Sequence, residues 1–131
     1  MDKTQLQALY LDYLRAEGYQ GEVDSDGDIE FKYQGYTFFI DVDSDDEQFF
    51  KVFGLFGWEF DDQAEKTKAY QVANELTKEY KVGKLIIRDK GIAVATEIFT
   101  AKPEDFKTCF GRLMSILGGL AQEFSERMQQ S

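Results

Sequence analysis

Between Asp62 and Met128 the hydrophobic period of the chain changes from 3.6 to 2 and back to 3.6, and this succession restricts the fold more than any other stretch. Asp62 and Glu65 have capping-box spacing, and Ala69, Val72, Ala73, Leu76 and Tyr80 then form a helical stripe that stops at Gly83. Leu85, Ile86 and Ile87 predict a short strand and Asp89-Lys90-Gly91 a turn. Ile92, Val94, Thr96 and Ile98 follow as a second strand, alternating with Ala93, Ala95 and Glu97. Pro103 suits a first helical turn, where its missing N–H is no loss, and Glu104 and Asp105 favour the positive end of the helix dipole. The closing helix carries apolar residues from Phe106 through Cys109, Phe110, Leu113, Leu117, Leu120 and Phe124 to Met128, a stripe roughly 160° wide at 100° per residue. Such a helix packs deeply on a sheet or shares part of its surface with a partner.

The earlier half needs those elements to cover it. Asp2 and Gln5 form a second capping-box pair, and Leu6, Leu9, Tyr10, Tyr13 and Leu14 recur at helical spacing up to Gly18. From Glu22 the period is two: Ile29, Phe31 and Tyr33, a Gln34-Gly35 turn, then Tyr36, Phe38, Ile40 and Val42. Phe49 to Phe56 read as a third strand, and the short connections predict an antiparallel meander. The order is thus α-β-β-β-α-β-β-α, an α+β fold with one antiparallel sheet and packed helices. With 131 residues and no Pro/Gly/Ser-rich linker, residues 1–131 form a single domain.

Charge narrows the function classes. The chain has 15 basic and 25 acidic side chains, a net of −10, and residues 1–62 alone hold four basic and sixteen acidic ones. That balance opposes binding to nucleic acid or an anionic membrane surface and is compatible with a basic protein or peptide partner. The N-terminus shows no signal-peptide pattern and no apolar run reaches spanning length, so a cytoplasmic location is expected. Cys109, the single cysteine, excludes an internal disulfide; its place on the apolar stripe predicts a buried, inert thiol.

No residue is nominated as catalytic and no cofactor is expected. There is no His, which removes the usual general base and the commonest zinc ligand, and no glycine-rich phosphate loop. Two acidic runs, Asp24, Asp26 and Asp28, then Asp41, Asp43, Asp45, Asp46 and Glu47, should meet at one edge of the meander and are weak Ca²⁺ candidates. Both fail the calcium-loop pattern. A loop from Asp24 has Ile29 at the glycine position and Gly35 at the bidentate glutamate position; one from Asp41 has Asp46 and Val52 there. Solvated turns explain them better.

The third strand is more informative. If Phe50, Val52 and Phe56 face the helices, then Phe49, Phe53 and Leu55 point the other way, beside Phe39 on the neighbouring strand. The free face of an antiparallel sheet is ordinarily polar. Either the chain's own elements cover this one or another protein does, which makes Phe39, Phe49, Phe53 and Leu55 the candidate partner or dimer contacts. Trp58 and Phe60 read as staples at the start of the second helix.

The element order, the length, the acidic balance and the stretch Val72 to Thr96 together resemble the type III secretion chaperone-like fold. That stretch has a helix carrying Asn74 and ending in basic residues, then Lys84-Leu85-Ile86-Ile87 and the Asp89-Lys90-Gly91 turn. Within that fold the chain is similar to the YbjN-like family of bacterial proteins. The resemblance implies a small, homodimeric, cytosolic, non-enzymatic protein that binds a protein or peptide, as a chaperone or regulator, and it transfers no catalytic residues. The alternative from the residues alone is a small-ligand or Ca²⁺-responsive regulatory domain using the acidic turns.

Overall fold

In the computed structural model, which describes residues 1–130, both ends of the first capping box are made. Asp2 Oδ1 accepts the Gln5 N–H at 2.8 Å and Gln5 Oε1 accepts the Asp2 N–H at 2.9 Å. They start α1 (Lys3–Ala16), which buries Leu6, Tyr10 and Leu14. A strand absent from the sequence reading follows: β1 (Gly21–Val23) has three residues, too few for an alternation to register. It pairs with β2 (Ile29–Tyr33), which turns into β3 (Tyr36–Asp41) through Gln34 and Gly35. Both turn residues have positive φ, 52° and 83°, the two-residue geometry whose twist matches that of the flanking strands.

The long strand β4 (Phe49–Gly57) leads to α2 (Gln63–Glu79), then β5 (Gly83–Arg88) and β6 (Gly91–Phe99). A 3-10 turn, Pro103–Thr108, precedes α3 (Phe110–Gln129). The closing helix therefore begins later than its apolar stripe predicts, because Cys109 leaves helical geometry at φ −120° and ψ 0°. Phe106 stays in the core from the 3-10 turn, stacked on Phe50 at 4.7 Å between ring centres. The six strands lie in the order β1-β2-β3-β4-β6-β5, all neighbours antiparallel. β4 and β6 pair from Phe49↔Phe99 to Gly57↔Gly91, joining the two halves of the chain. No helix among the described residues is long and apolar enough to cross a membrane.

The second cap is rearranged. Asp62 Oδ1 accepts the Glu65 N–H at 2.8 Å, but Glu65 turns away from the cap and takes the Trp58 indole N–H at 2.9 Å and the Asp61 N–H at 3.3 Å. Those bonds hold the Glu65 carboxyl below its usual range, the indole contributing most. Trp58 thereby fixes the approach to α2. At the other end α2 is tied to α3 by Arg127, which reaches Glu79 at 2.7 Å and Glu123 at 2.9 Å.

The end of α2 also departs from its sequence signature. The helix stops at Glu79, Tyr80 is extended at φ −85° and ψ 137°, and the left-handed residue is Val82 (φ 68°) and not Gly83. The Gly83 N–H donates to the Lys81 carbonyl at 2.7 Å, closing a three-residue turn around Val82. Gly83 is glycine for packing: a Cβ there would lie 2.7 Å from Ile116 Cγ2 and 2.8 Å from Leu120 Cδ1. A β-branched residue at positive φ is strained by roughly 1–3 kcal/mol, and Val82 is exposed enough to return little burial energy. Val82→Gly should raise the stability measured by urea unfolding by about 1 kcal/mol, after subtracting the extra freedom of the unfolded chain. A less stable variant would mean that the Val82 side chain contributes more than its backbone costs.

Candidate functional site

Strand parity divides the sheet into a covered and an open face. Ile29, Phe31, Phe38, Ile40, Phe50, Val52, Ile92, Val94 and Leu85 join Leu6, Tyr10 and Leu14 of α1, Val72 and Leu76 of α2, and Leu117 and Leu120 of α3 in one core. Residues of the opposite parity stay outside it. The register places Glu30 opposite Phe39, Phe39 opposite Phe53, Phe53 opposite Ala95 and Ala95 opposite Lys84, a row across five strands. Phe39 and Phe53 stack at 5.2 Å with planes 20° apart, and Lys51 Nζ lies 5.3 Å from the centre of the Phe53 ring. Leu55 opposite Ala93, and Ala93 opposite Ile86, extend the apolar surface; Leu55 is 44% and Ile86 48% exposed.

Phe49 sits apart from this patch. Between it and Phe53 runs a charged row, Asp41 opposite Lys51 and Lys51 opposite Glu97, with Glu97 ion-paired to Lys84. Phe49 meets Phe99 beyond that row, ring centres 5.8 Å apart, and Phe99 is the most exposed large apolar residue at 78%. The four candidate residues thus fall into two groups, Phe39, Phe53 and Leu55 in one and Phe49 in the other. Ile86 and Phe99 were missed as candidates, although their parity with Ala93 and Glu97 would have found them.

The acidic runs do converge. Asp28 Oδ1 accepts the Val42 N–H at 2.9 Å, and Asp24 Oδ1 accepts the N–H groups of Asp26 and Asp28, each at 2.9 Å. Asp43 and Asp46 likewise accept from their own turns, from Asp45 at 3.0 Å and Gln48 at 3.2 Å. These carboxylates shape turns, and among the described residues no group of three or more His, Cys, Asp or Glu is arranged to hold a metal ion. Burial, then the neighbouring Asp28, pushes the Asp41 carboxyl up despite Lys51. Cys109 is half-buried; its thiol donates to the Phe106 carbonyl at 3.5 Å and burial pushes its pKa up, the opposite of a reactive cysteine.

A second apolar feature lies on the covered face, where the helices leave the sheet bare near the β2–β3 turn. A groove of about 430 Å³ opens there between the sheet and the second half of α3. Tyr33, Tyr36, Phe56 and Trp58 line it from the sheet, and Gly118, Ala121, Ser125 and Glu126 from the helix. Trp58 is held by Glu65 and meets Phe124 edge-on at 5.2 Å, so the residue read as a staple for α2 is also a groove wall.

The family model described as T3SS (YopN, CesT) and YbjN peptide-binding chaperone 1, TY-Chap1, matches residues 4–130. Among solved structures, an uncharacterized protein from Methanothermobacter thermautotrophicus is similar with a TM-score of 0.62 at 13% identity, over 94% of this chain and 99% of its own. A chain of the HopA1-SchA chaperone-effector complex gives a TM-score of 0.62 at 14% identity, over 99% of both chains. At such identities the two structures report the fold. No curated protein sequence matches the chain.

Asp41 provides a test of the electrostatics at the acidic end. Its folded-state pKa is raised, so the fold prefers the protonated carboxyl; the ionised form weakens the fold at neutral pH, and the penalty disappears as pH falls through that pKa. Asp41→Asn should therefore melt higher than wild type at pH 7, the difference closing as pH is lowered through the carboxylate range. A gain that persists undiminished at low pH would refute this account.

Proposed function

We propose that this chain, which belongs to the T3SS (YopN, CesT) and YbjN peptide-binding chaperone 1 family, is a non-enzymatic peptide-holding chaperone that works as a homodimer in the cytoplasm. The observation that carries the dimer is the open sheet face. Phe39, Phe53, Leu55, Ala93 and Ile86, packed around the buried Ala95, form an apolar surface that no element among the described residues covers, and such patches mark protein contacts.

A second copy is the partner that suits this face. Two-fold pairing sets a patch against itself, so it has to carry both signs of charge. Asp41, Lys51, Glu97 and Lys84 do so in adjacent positions, although the half of the chain that supplies β3 and β4 is strongly acidic. The charged row fixes register while the stacked Phe39–Phe53 pair supplies the apolar centre. With this face occupied by its twin, the peptide is received elsewhere on the molecule.

Size exclusion with light scattering across a concentration series should give twice the 15.1 kDa chain mass. Replacing Phe39 and Phe53 together by Ser should raise the dimer dissociation constant by at least tenfold and leave the circular dichroism spectrum unchanged, because neither side chain is in the core. Phe49→Ser, beyond the charged row, should have a smaller effect. A wild type that stays monomeric at every concentration, or a double variant that unfolds, would overturn the proposal.

A further inference from the structure

Resting on that chaperone reading, we infer that the groove between the β2–β3 turn and the second half of α3 is the peptide seat. It takes an aromatic or large aliphatic side chain of an extended segment, with an adjacent Lys or Arg of that segment on Glu126. Three independent observations carry this.

The sheet wall is preformed. Tyr36 meets Phe56 edge-on at 5.4 Å, Phe56 meets Phe38 at 6.0 Å, and Phe38 meets Tyr33 at 6.0 Å. Rings braced in this way lose little freedom when an apolar side chain enters, so little of the binding energy is spent on ordering them. A volume of about 430 Å³ lies in the range of small-ligand sites and admits one or two large side chains.

The helix wall is cut back without a packing reason. Gly119 is small because a Cβ there would lie 2.8 Å from the Tyr80 hydroxyl. At Gly118 a Cβ would meet nothing within 4 Å and the φ is ordinary. Glycine is a poor helix former, so a mid-helix glycine that relieves neither a clash nor a backbone strain calls for another explanation. What its missing side chain leaves is room in the groove, continued by Ala121 and Ser125 one and two turns on.

The charge of the lining is one-sided. Among the described residues Glu126 is its only carboxylate, held by the Gln122 amide N–H at 3.0 Å, and neither Lys nor Arg lines the groove. A cationic side chain beside the buried one therefore gains a partner, and an anionic one meets repulsion from a strongly acidic chain. The side-chain carbonyl of Gln34, whose amide N–H donates to the Tyr33 hydroxyl at 3.4 Å, and the hydroxyl of Ser125 lie beside it for the peptide backbone.

The test uses the fluorescein-labelled peptide Gly-Ser-Gly-Phe-Arg-Phe-Arg-Gly-Ser-Gly and a counterpart with Glu for Arg. Binding is followed by anisotropy and by the emission of Trp58, the only tryptophan and a groove wall. The basic peptide should bind saturably and shift Trp58 emission, and the acidic one should bind at least tenfold more weakly. Gly118→Leu should weaken the basic peptide at least tenfold while the melting temperature holds or rises, because leucine is the better helix former and meets open space. Glu126→Gln should bring the two peptides to within about threefold of each other, an electrostatic contact at a partly solvated site being of that order.

Unchanged binding by Gly118→Leu, equal binding of the two peptides by wild type, or failure of the basic peptide to bind would each overturn the groove as the seat. The chaperone reading is judged separately. If the Phe39→Ser, Phe53→Ser variant loses the peptide and Gly118→Leu keeps it, the segment lies on the open sheet face; the groove is then excluded and a peptide-binding role survives.

Discussion

The pairing of β4 with β6 carries the architecture, because nine residues on each strand are matched end to end across the boundary between the two halves of the chain. On one side of this ladder lie the acidic meander and α1; on the other lie β5 and α2. Each group alone would be a small, half-covered sheet with too little apolar burial to offset the entropy of ordering it. Joined, they present one continuous inner face to α3, whose Leu113, Met114, Leu117 and Leu120 close the core. Glycines admit the close approaches this requires: a Cβ on Gly91 would lie 2.0 Å from the Phe56 carbonyl oxygen, and one on Gly54 2.7 Å from the Phe38 ring.

The same ladder explains why one sheet has two different faces. Its inner positions, Phe50, Val52, Ile92 and Val94, are buried by the helices. Its outer positions alternate Phe49, Lys51, Phe53 and Leu55 against Phe99, Glu97, Ala95 and Ala93, a pattern of apolar and charged rows. A solvated face has little use for Phe53 and Leu55, and the interior of a domain seldom takes in a row of charges such as Lys51 and the Glu97–Lys84 pair. Apolar rows separated by a charged row of both signs are what a specific protein contact requires, the former for energy and the latter for register.

Much of the fold was legible because period and capping act locally. The helical stripes of α1 and α2, the Gln34-Gly35 turn and the hairpin of β5 and β6 follow from spacing alone. What was not legible depended on neighbours distant in sequence. β1 exists because β2 offers it an edge; α3 starts late because Cys109 adopts a non-helical conformation while Phe106 remains committed to Phe50. Gly83 was read as a helix stop, whereas Ile116 and Leu120 keep it small. Parity placed Phe39, Phe53 and Leu55 on the outer face, but only the register showed that a charged row divides them from Phe49. The groove draws on residues 33–38, 56–58, 92 and 118–126, four separate stretches that no local pattern links.

The order in which these parts are made has a consequence for synthesis. Residues 49–57 leave the ribosome long before residues 91–99, so the central ladder has no partner while the most aromatic strand of the protein is already outside. Even the completed sheet stays uncovered over much of its inner face until residues 110–129 emerge. Cooperative burial of the core is therefore a late event, dominated by contacts between residues far apart in the chain. Like-charge repulsion along the strongly acidic first half opposes association between such incomplete chains, a use for the Asp24–Asp28 and Asp43–Glu47 turns that does not depend on the native structure.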